Sequence, residues 1–309
     1  MSSQIKLGTR GSLLARTQSS WVANLIDTQF SVSLVAIKTD GDNLDLSLTE
    51  PGQPGAFVNA LRNALLAGEV DFIVHSFKDL PSADHPDLQL VAVPSREDNR
   101  DVLISRGSIA FKNLIANSVI GTSSPRRTAA IRHLNPSLEV KPIRGNIDSR
   151  IRKVRDGEFD GAILAAAGII RLGLESEIAE YFSIEEILPA PAQGALAVEC
   201  RKDDSVMLEL LATLDDQPTR MTTTAERAVL RALSAGCDLA IGASAQIESG
   251  TLKLTAEIGD PVTGETLRHY ASNEIASQSD FTNAEILGQQ VASYLQGTEL
   301  GIRILSRGK

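Results

Sequence analysis

Two cysteines, one tryptophan and 4% aromatic residues are all that this 309-residue chain holds of those types. Two thiols cannot build a disulfide framework, and neither stands at a metal-ligand spacing. The four histidines lack such spacing too, so no metal is expected. No apolar run reaches the length needed to cross a membrane. The opening MSSQIKLGTRGSLLAR has no apolar core of signal-peptide length. These shortages predict a cytoplasmic protein in a reducing compartment. No G-x-G-x-x-G, P-loop lysine pattern or G-x-S-x-G elbow occurs. Nucleotide binding and a hydrolase-type serine nucleophile are left without support.

What is present fits a soluble chain of two or three domains, with 42% hydrophobic and 22% charged residues. The net charge of −9 argues against a nucleic-acid partner. Yet residues 121–155 carry nine basic side chains against Glu139 and Asp148, a net +7. Most are arginines, which suit planar, two-pronged capture of carboxylate or phosphate. Arg132, Arg152, Lys153 and Arg155 read as solvated helix faces.

Strand and helix patterns alternate along the chain. IKLGT reads as a strand; Ser12 then caps a helix whose apolar stripe is Leu14, Trp21, Val22, Leu25 and Ile26. SVSLVAIKT is a strand, FVNALRNALLAG a helix stopped by Gly68, and DFIVHS a buried strand. A second run follows: SVIGTSS, then the helix PRRTAAIRHL, the strand LEVKPI, the helix IDSRIRKVRDG, and FDGAILAAAG as strand into turn. This order predicts α/β architecture with mostly parallel sheets. ALAVEC is a strand, and Cys200 at its end reads as packed. Thr223–Glu226 fits a capping box opening the helix ERAVLRALSA. AQIES, a Ser249-Gly250 turn, TLKLTAEIG, ETLRHYAS and a closing helix AEILGQQVASYL suggest a small α+β domain.

LGTRGSLLAR and IGTSSPRRTAAIR share one plan: strand, Gly-Thr, serine, arginine, helix. Each sets hydroxyls, free N–H groups and arginine at a helix N-terminus, which favours anions. Further polar clusters follow strands at His75–Asp79, Arg144–Asn146 and Arg171. In open α/β sheets ligands bind beyond the carboxyl ends of strands. The expected ligand is small and bears several carboxylates or phosphates. A non-catalytic polycarboxylate-binding protein remains the alternative at this level.

GTRGSLLA (8–15), DFIVHSFKDLP (71–81), REDNRDVLIS (96–105), GTSSPRR (121–127), RGNIDSR (144–150), FDGAILAAAGIIRLGL (159–174), PAPAQGALAVECR (189–201), TAERAVLRAL (224–233) and GCDLAIGA (236–243) go further. Taken together, in order, they resemble the porphobilinogen deaminase (hydroxymethylbilane synthase) family. The resemblance implies a monomeric transferase of tetrapyrrole and heme biosynthesis, joining four porphobilinogen molecules with loss of ammonia. It implies a covalent dipyrromethane cofactor, built from substrate and held by a thioether at Cys237. Asp79 matches the catalytic aspartate. Ser76, Lys78, Thr122, Ser124, Arg126, Arg127 and Arg150 would bind the cofactor. Arg10, Ser12, Gln18, Arg144, Asn146, Arg171 and Gln193 would bind substrate.

The implied fold is two doubly wound α/β domains resembling type II periplasmic binding proteins, plus a small α+β C-terminal domain. The expected boundaries are 1–95 with 195–216, then 96–194, then 217–309, the last carrying the cysteine. Two departures stand out. Lysines found in some relatives around the start of the second helix are replaced by Glu50, Pro54 and Asn59, and the turn-rich stretch 42–56 before that helix reads as a lid. Ala240 replaces a proline usual after the cysteine.

Overall fold

The computed structural model describes residues 4–26, 30–38, 56–233, 239–275 and 281–307. Cys237 lies outside these, as does the 42–56 stretch read as a lid, save Ala56 at the start of a helix. The chain divides into two compact units: Met1–Arg96 with Ala195–Arg220, and Glu97–Gly194 with Met221–Lys309. No helix among the described residues is long and apolar enough to cross a membrane.

The first unit holds β1 (Gln4–Arg10), α1 (Leu13–Leu25), β2 (Ser31–Ile37), α2 (Ala56–Leu66), β3 (Phe72–Ser76) and β4 (Leu88–Ala92). After the other unit's residues have intervened, β10 (Leu196–Arg201) and α6 (Ser205–Ala212) complete it. The sheet order is β2-β1-β3-β10-β4. Strand β1 pairs parallel with β2 and β3, whereas β10 is antiparallel to β3 and β4. Four strands therefore run one way and one is reversed, which qualifies the parallel expectation. Leu7, Phe72 and Val198 are fully buried in its core. Cys200 is buried with them, and burial first, then Asp204, pushes its thiol up to about 11. It is inert packing.

Helix α1 starts where expected, with Ser12 as cap, but its buried face is not the apolar stripe. Trp21 and Leu25 are exposed, while Gln18, Ser19 and Val22 are buried. The two polar residues go inward because partners await them. Ser19 Oγ donates to Thr9 Oγ1 at 2.8 Å and Gln18 Nε2 to Ser76 Oγ at 3.0 Å.

A charged cluster is buried beside this sheet. Arg62 of α2 donates to both oxygens of Glu199 on β10, at 2.6 and 3.0 Å, and His75 Nε2 lies 3.2 Å from the same carboxylate. Burial alone would raise the Glu199 carboxyl, but the neighbouring His75 and Arg62 bring it down to about 2. A depressed carboxyl stabilises the fold above its unfolded value and loses that contribution as pH falls through the folded one. Glu199→Gln should therefore cost about 3–5 kcal/mol near neutral pH. The gap from wild type should shrink between the ordinary value of 4.5 and about 2. Denaturant titrations across that range measure it; a gap independent of pH contradicts the assignment.

The second unit contains β5 (Asp101–Ser105), β6 (Val119–Gly121), α3 (Pro125–Leu134), β7 (Glu139–Lys141), α4 (Ile147–Arg155), β8 (Gly161–Ala165), α5 (Ala166–Arg171) and β9 (Glu180–Tyr181). Their order is β7-β6-β8-β5-β9, with β5 antiparallel to both neighbours. The AAG expected as a turn after β8 instead opens α5. The chain passes between units within α7 (Gln217–Ala232). A separate antiparallel sheet follows: β11 (Ala240–Glu248), β12 (Thr251–Gly259) and β13 (Thr266–Glu274). Helices α8 (Thr282–Gly297) and α9 (Glu299–Arg307) cover it; α9 has no counterpart in the sequence reading. Ser249 and Gly250 join β11 to β12 with φ of 48° and 79°, the positive pair a tight hairpin needs.

The Thr223–Glu226 capping box does not start a helix. Helix α7 begins earlier, where the Asp216 carboxylate accepts from Thr219 N at 2.8 Å. Thr223 and Glu226 are fully buried in the helix interior. Glu226 instead accepts from Ala192 N at 2.7 Å and Ala245 N at 2.9 Å. It ties the 189–194 loop to β11. Ala192 sits at φ 61°, and the bond from its N–H helps hold that strained conformation.

Candidate functional site

In the first unit the expected residues gather past the carboxyl ends of β1 and β3. Arg10 ends β1 and Ser12 caps α1, its Oγ accepting from Ala15 N at 3.4 Å. Ser76 ends β3, and a single 3-10 turn, Phe77–Asp79, follows at once. Phe77 and Leu80 are buried on either side of Lys78 and Asp79, which turns those two outward. Phe77 N also donates to Ala195 O at 3.0 Å. The Asp79 carboxylate is exposed and makes no hydrogen bond or ion pair among the described residues. Gln18 reaches Ser76, so its amide braces the rim rather than facing solvent.

In the second unit Thr122 follows β6 and Ser124 caps α3, with Pro125 at the first helical position. Thr122 Oγ1 accepts from Ser124 N at 3.2 Å, and Ser124 Oγ from Arg127 N at 3.4 Å. This turn aims the arginines of the first helical turn at one acid. Arg126 Nη1 and Arg127 Nη2 each lie 2.7 Å from an oxygen of Asp101. Both arginines are 7% exposed and the aspartate 0%. Arg126 also donates to the carbonyl of Leu188. Burial opposes ionisation of Asp101, but the two guanidiniums hold its carboxyl well below the usual range. Arg127 Nε is buried with no hydrogen-bond partner among the described residues.

Arg150 of α4 stands close enough for Arg127 to act on it. Burial, then the Arg127 charge, lowers its affinity for its proton. Its Nε donates to Gly145 O at 2.7 Å, which bends the side chain back over its own helix start. Arg144 and Asn146 are exposed on the β7–α4 turn. Arg171 ends α5 and donates to Gly194 O at 2.7 Å; burial lowers it to about 10. Gly194 has φ 87°, and a Cβ there would fall 2.4 Å from Glu97 O, so glycine is required. Gln193 is fully buried, its Nε2 donating to Asn99 O at 2.8 Å and Asp101 Oδ1 at 2.9 Å. Its side chain supports the site from beneath.

Arg132 corrects the reading of a solvated face: it is half-buried and donates to the carbonyls of Pro261 and Val262. Arg152 is exposed, and Arg155 pairs with Glu177. Asp101 was missed by sequence reasoning. Its partners are 25 and more residues away, and nothing local marks it.

Comparison with known proteins divides the chain differently, its first part spanning residues of both compact units. Residues 5–209 match the family model described as porphobilinogen deaminase, dipyromethane cofactor binding domain, and residues 221–297 match porphobilinogen deaminase, C-terminal domain. Porphobilinogen deaminase 1 of Streptomyces avermitilis is 49% identical over 254 residues, covering 79% of this chain and 78% of that protein. Porphobilinogen deaminase of Mycobacterium tuberculosis is 47% identical over 244 residues, with 79% of each covered. Among solved structures, the Bordetella pertussis BvgS VFT2 domain covers 68% of this chain and 86% of its own, at 12% identity and TM-score 0.41. The matched models and the identity to these relatives span most of the sequence, and the chain belongs to the porphobilinogen deaminase family.

Proposed function

We propose that this chain joins four porphobilinogen molecules head to tail, releasing ammonia each time, to give hydroxymethylbilane on a dipyrromethane held by a thioether at Cys237. Residues 217–309 are read as the domain that carries this cysteine. The observation that carries the reading is the arginine cluster of α3 and α4. Arg126 and Arg127 share the single carboxylate of Asp101, Arg150 is near enough to feel the Arg127 charge, and the buried Arg127 Nε has no partner among the described residues. Such a set fits a ligand bearing several carboxylates.

When bound, dipyrromethane supplies the pyrrole carbon to which the first substrate is joined. Arg126, Arg127 and Arg150, with Ser124 and Thr122, would hold its carboxylates. Lys78 and Ser76 are assigned to the same group. Arg10, Ser12, Arg144, Asn146 and Arg171 are assigned to the acetate and propionate of incoming porphobilinogen. Gln18 and Gln193 act through the residues they brace. Asp79 offers an exposed carboxylate on a firm turn. Positive charge develops on the substrate as its aminomethyl nitrogen departs, and a nearby carboxylate stabilises it. The same carboxylate can take and return the protons that the substitution moves. The enzyme is placed in the cytoplasm and acts as a monomer; sedimentation tests the latter.

Arg127→Leu should yield protein without cofactor, and Arg144→Leu should load but stall in elongation. Each loses a charge-assisted bond of about 1.5–3 kcal/mol, to a different carboxylate. Intact mass and product formation separate the two. Equal loading and equal turnover in both variants contradict the division.

A further inference from the structure

Asp101 opens β5, the reversed strand of its sheet. A strand running with the others would bring its last residue to the rim where α3 begins. The reversed strand brings its first, and the register sets Asp101 opposite Ala165, the last residue of β8. Its two carboxylate oxygens face neighbours in sequence: Oδ1 accepts a hydrogen bond from Arg127, and Oδ2 makes an ion pair with Arg126 without a hydrogen bond, each at 2.7 Å. Gln193 Nε2 fixes Oδ1 from a third direction at 2.9 Å.

We propose that Asp101 is the positioning residue of the cofactor grip, holding two guanidiniums abreast while cancelling only one of their two positive charges. Arginine side chains are long, and two buried cations side by side repel. Without an acid between them they would swing apart or draw in water. One carboxylate shared between two guanidiniums removes that freedom and leaves donors turned elsewhere, Arg127 Nε among them. Arg150, which feels the Arg127 charge, keeps the balance positive. Asp101 touches no ligand in this scheme. It acts through the arginines, and Gln193 acts through it.

This inference rests on the reading that the arginines hold dipyrromethane. Apo-protein carrying Asp101→Asn is supplied with porphobilinogen, and loading is followed by intact mass at temperatures where melting curves show it folded. Loading should be slower by a factor on the order of 100, and the porphobilinogen concentration for half-maximal loading should rise. A merely structural role would lower the melting temperature and leave that concentration unchanged. Wild-type loading by the folded variant overturns the proposal. If Asp101→Asn does not fold, Asp101→Glu decides, since it keeps the charge but lengthens the reach by one methylene. Slow loading then supports the proposal and wild-type loading overturns it. Arg127→Leu run alongside tells the two readings apart: normal loading there removes the cofactor assignment itself.

Discussion

Cys237→Ala is expected to fold, to carry no covalent pyrrole and to form no hydroxymethylbilane. The cysteine lies between α7 and β11, and Leu233 and Ala240 on either side of it are buried, at 5% and 4% exposed. Removing one sulfur from the link between them costs little next to a core substitution. No other thiol can stand in. Cys200 is buried in the first unit, its thiol raised to about 11, and the chain has no third. Intact mass, peptide mapping and product formation should change together while the melting curve stays near wild type. A variant with normal turnover would remove the anchor role.

Asp79→Asn should lower turnover by a factor on the order of 100 or more while leaving stability and attached cofactor unchanged. The turn that carries Asp79 is held by Phe77 N to Ala195 O at 3.0 Å, by Leu80 N to Phe77 O at 3.2 Å, and by burial of Phe77 and Leu80. None of these uses the Asp79 side chain. A capping aspartate would sit at a helix N-terminus, whereas Asp79 closes its turn and Ser76 precedes it. Asparagine keeps the size and removes the charge. Steady-state bilane formation and a melting curve on one loaded preparation decide the matter. Near wild-type turnover would sink the catalytic assignment; a large fall in melting temperature would show the carboxylate to be structural.

Local chemistry made much of this fold readable. Ser12 and Ser124 cap the helices that follow them, and Pro125 stands at the first helical position. Short-range rules govern such features, so a window of a few residues contains the answer. The failures are equally instructive. Thr223–Glu226 has the spacing of a capping box, but Asp216 caps α7 first, and Glu226 is drawn to N–H groups on two other segments. Gln18 and Ser19 go inward for partners on β3 and β1, which an apolar period cannot register. The clustering of arginines at the start of α3 was legible from composition and position. The acid they share was not, because Asp101 sits on another strand and its burial is visible only once the sheet is assembled.

The bonds of Glu226 and Arg132 have a mechanical consequence. Glu226 joins α7 to both the 189–194 loop and β11, and Arg132 joins α3 to the turn after β12. The segment bearing Cys237 therefore leaves and re-enters the same body that carries Arg126, Arg127 and Arg150. The proposed anchor and the proposed grip thus share one frame of reference. On the proposed reading, a tether whose two holds belong to one compact unit gains no slack between them, so successive additions of substrate need not loosen the primer.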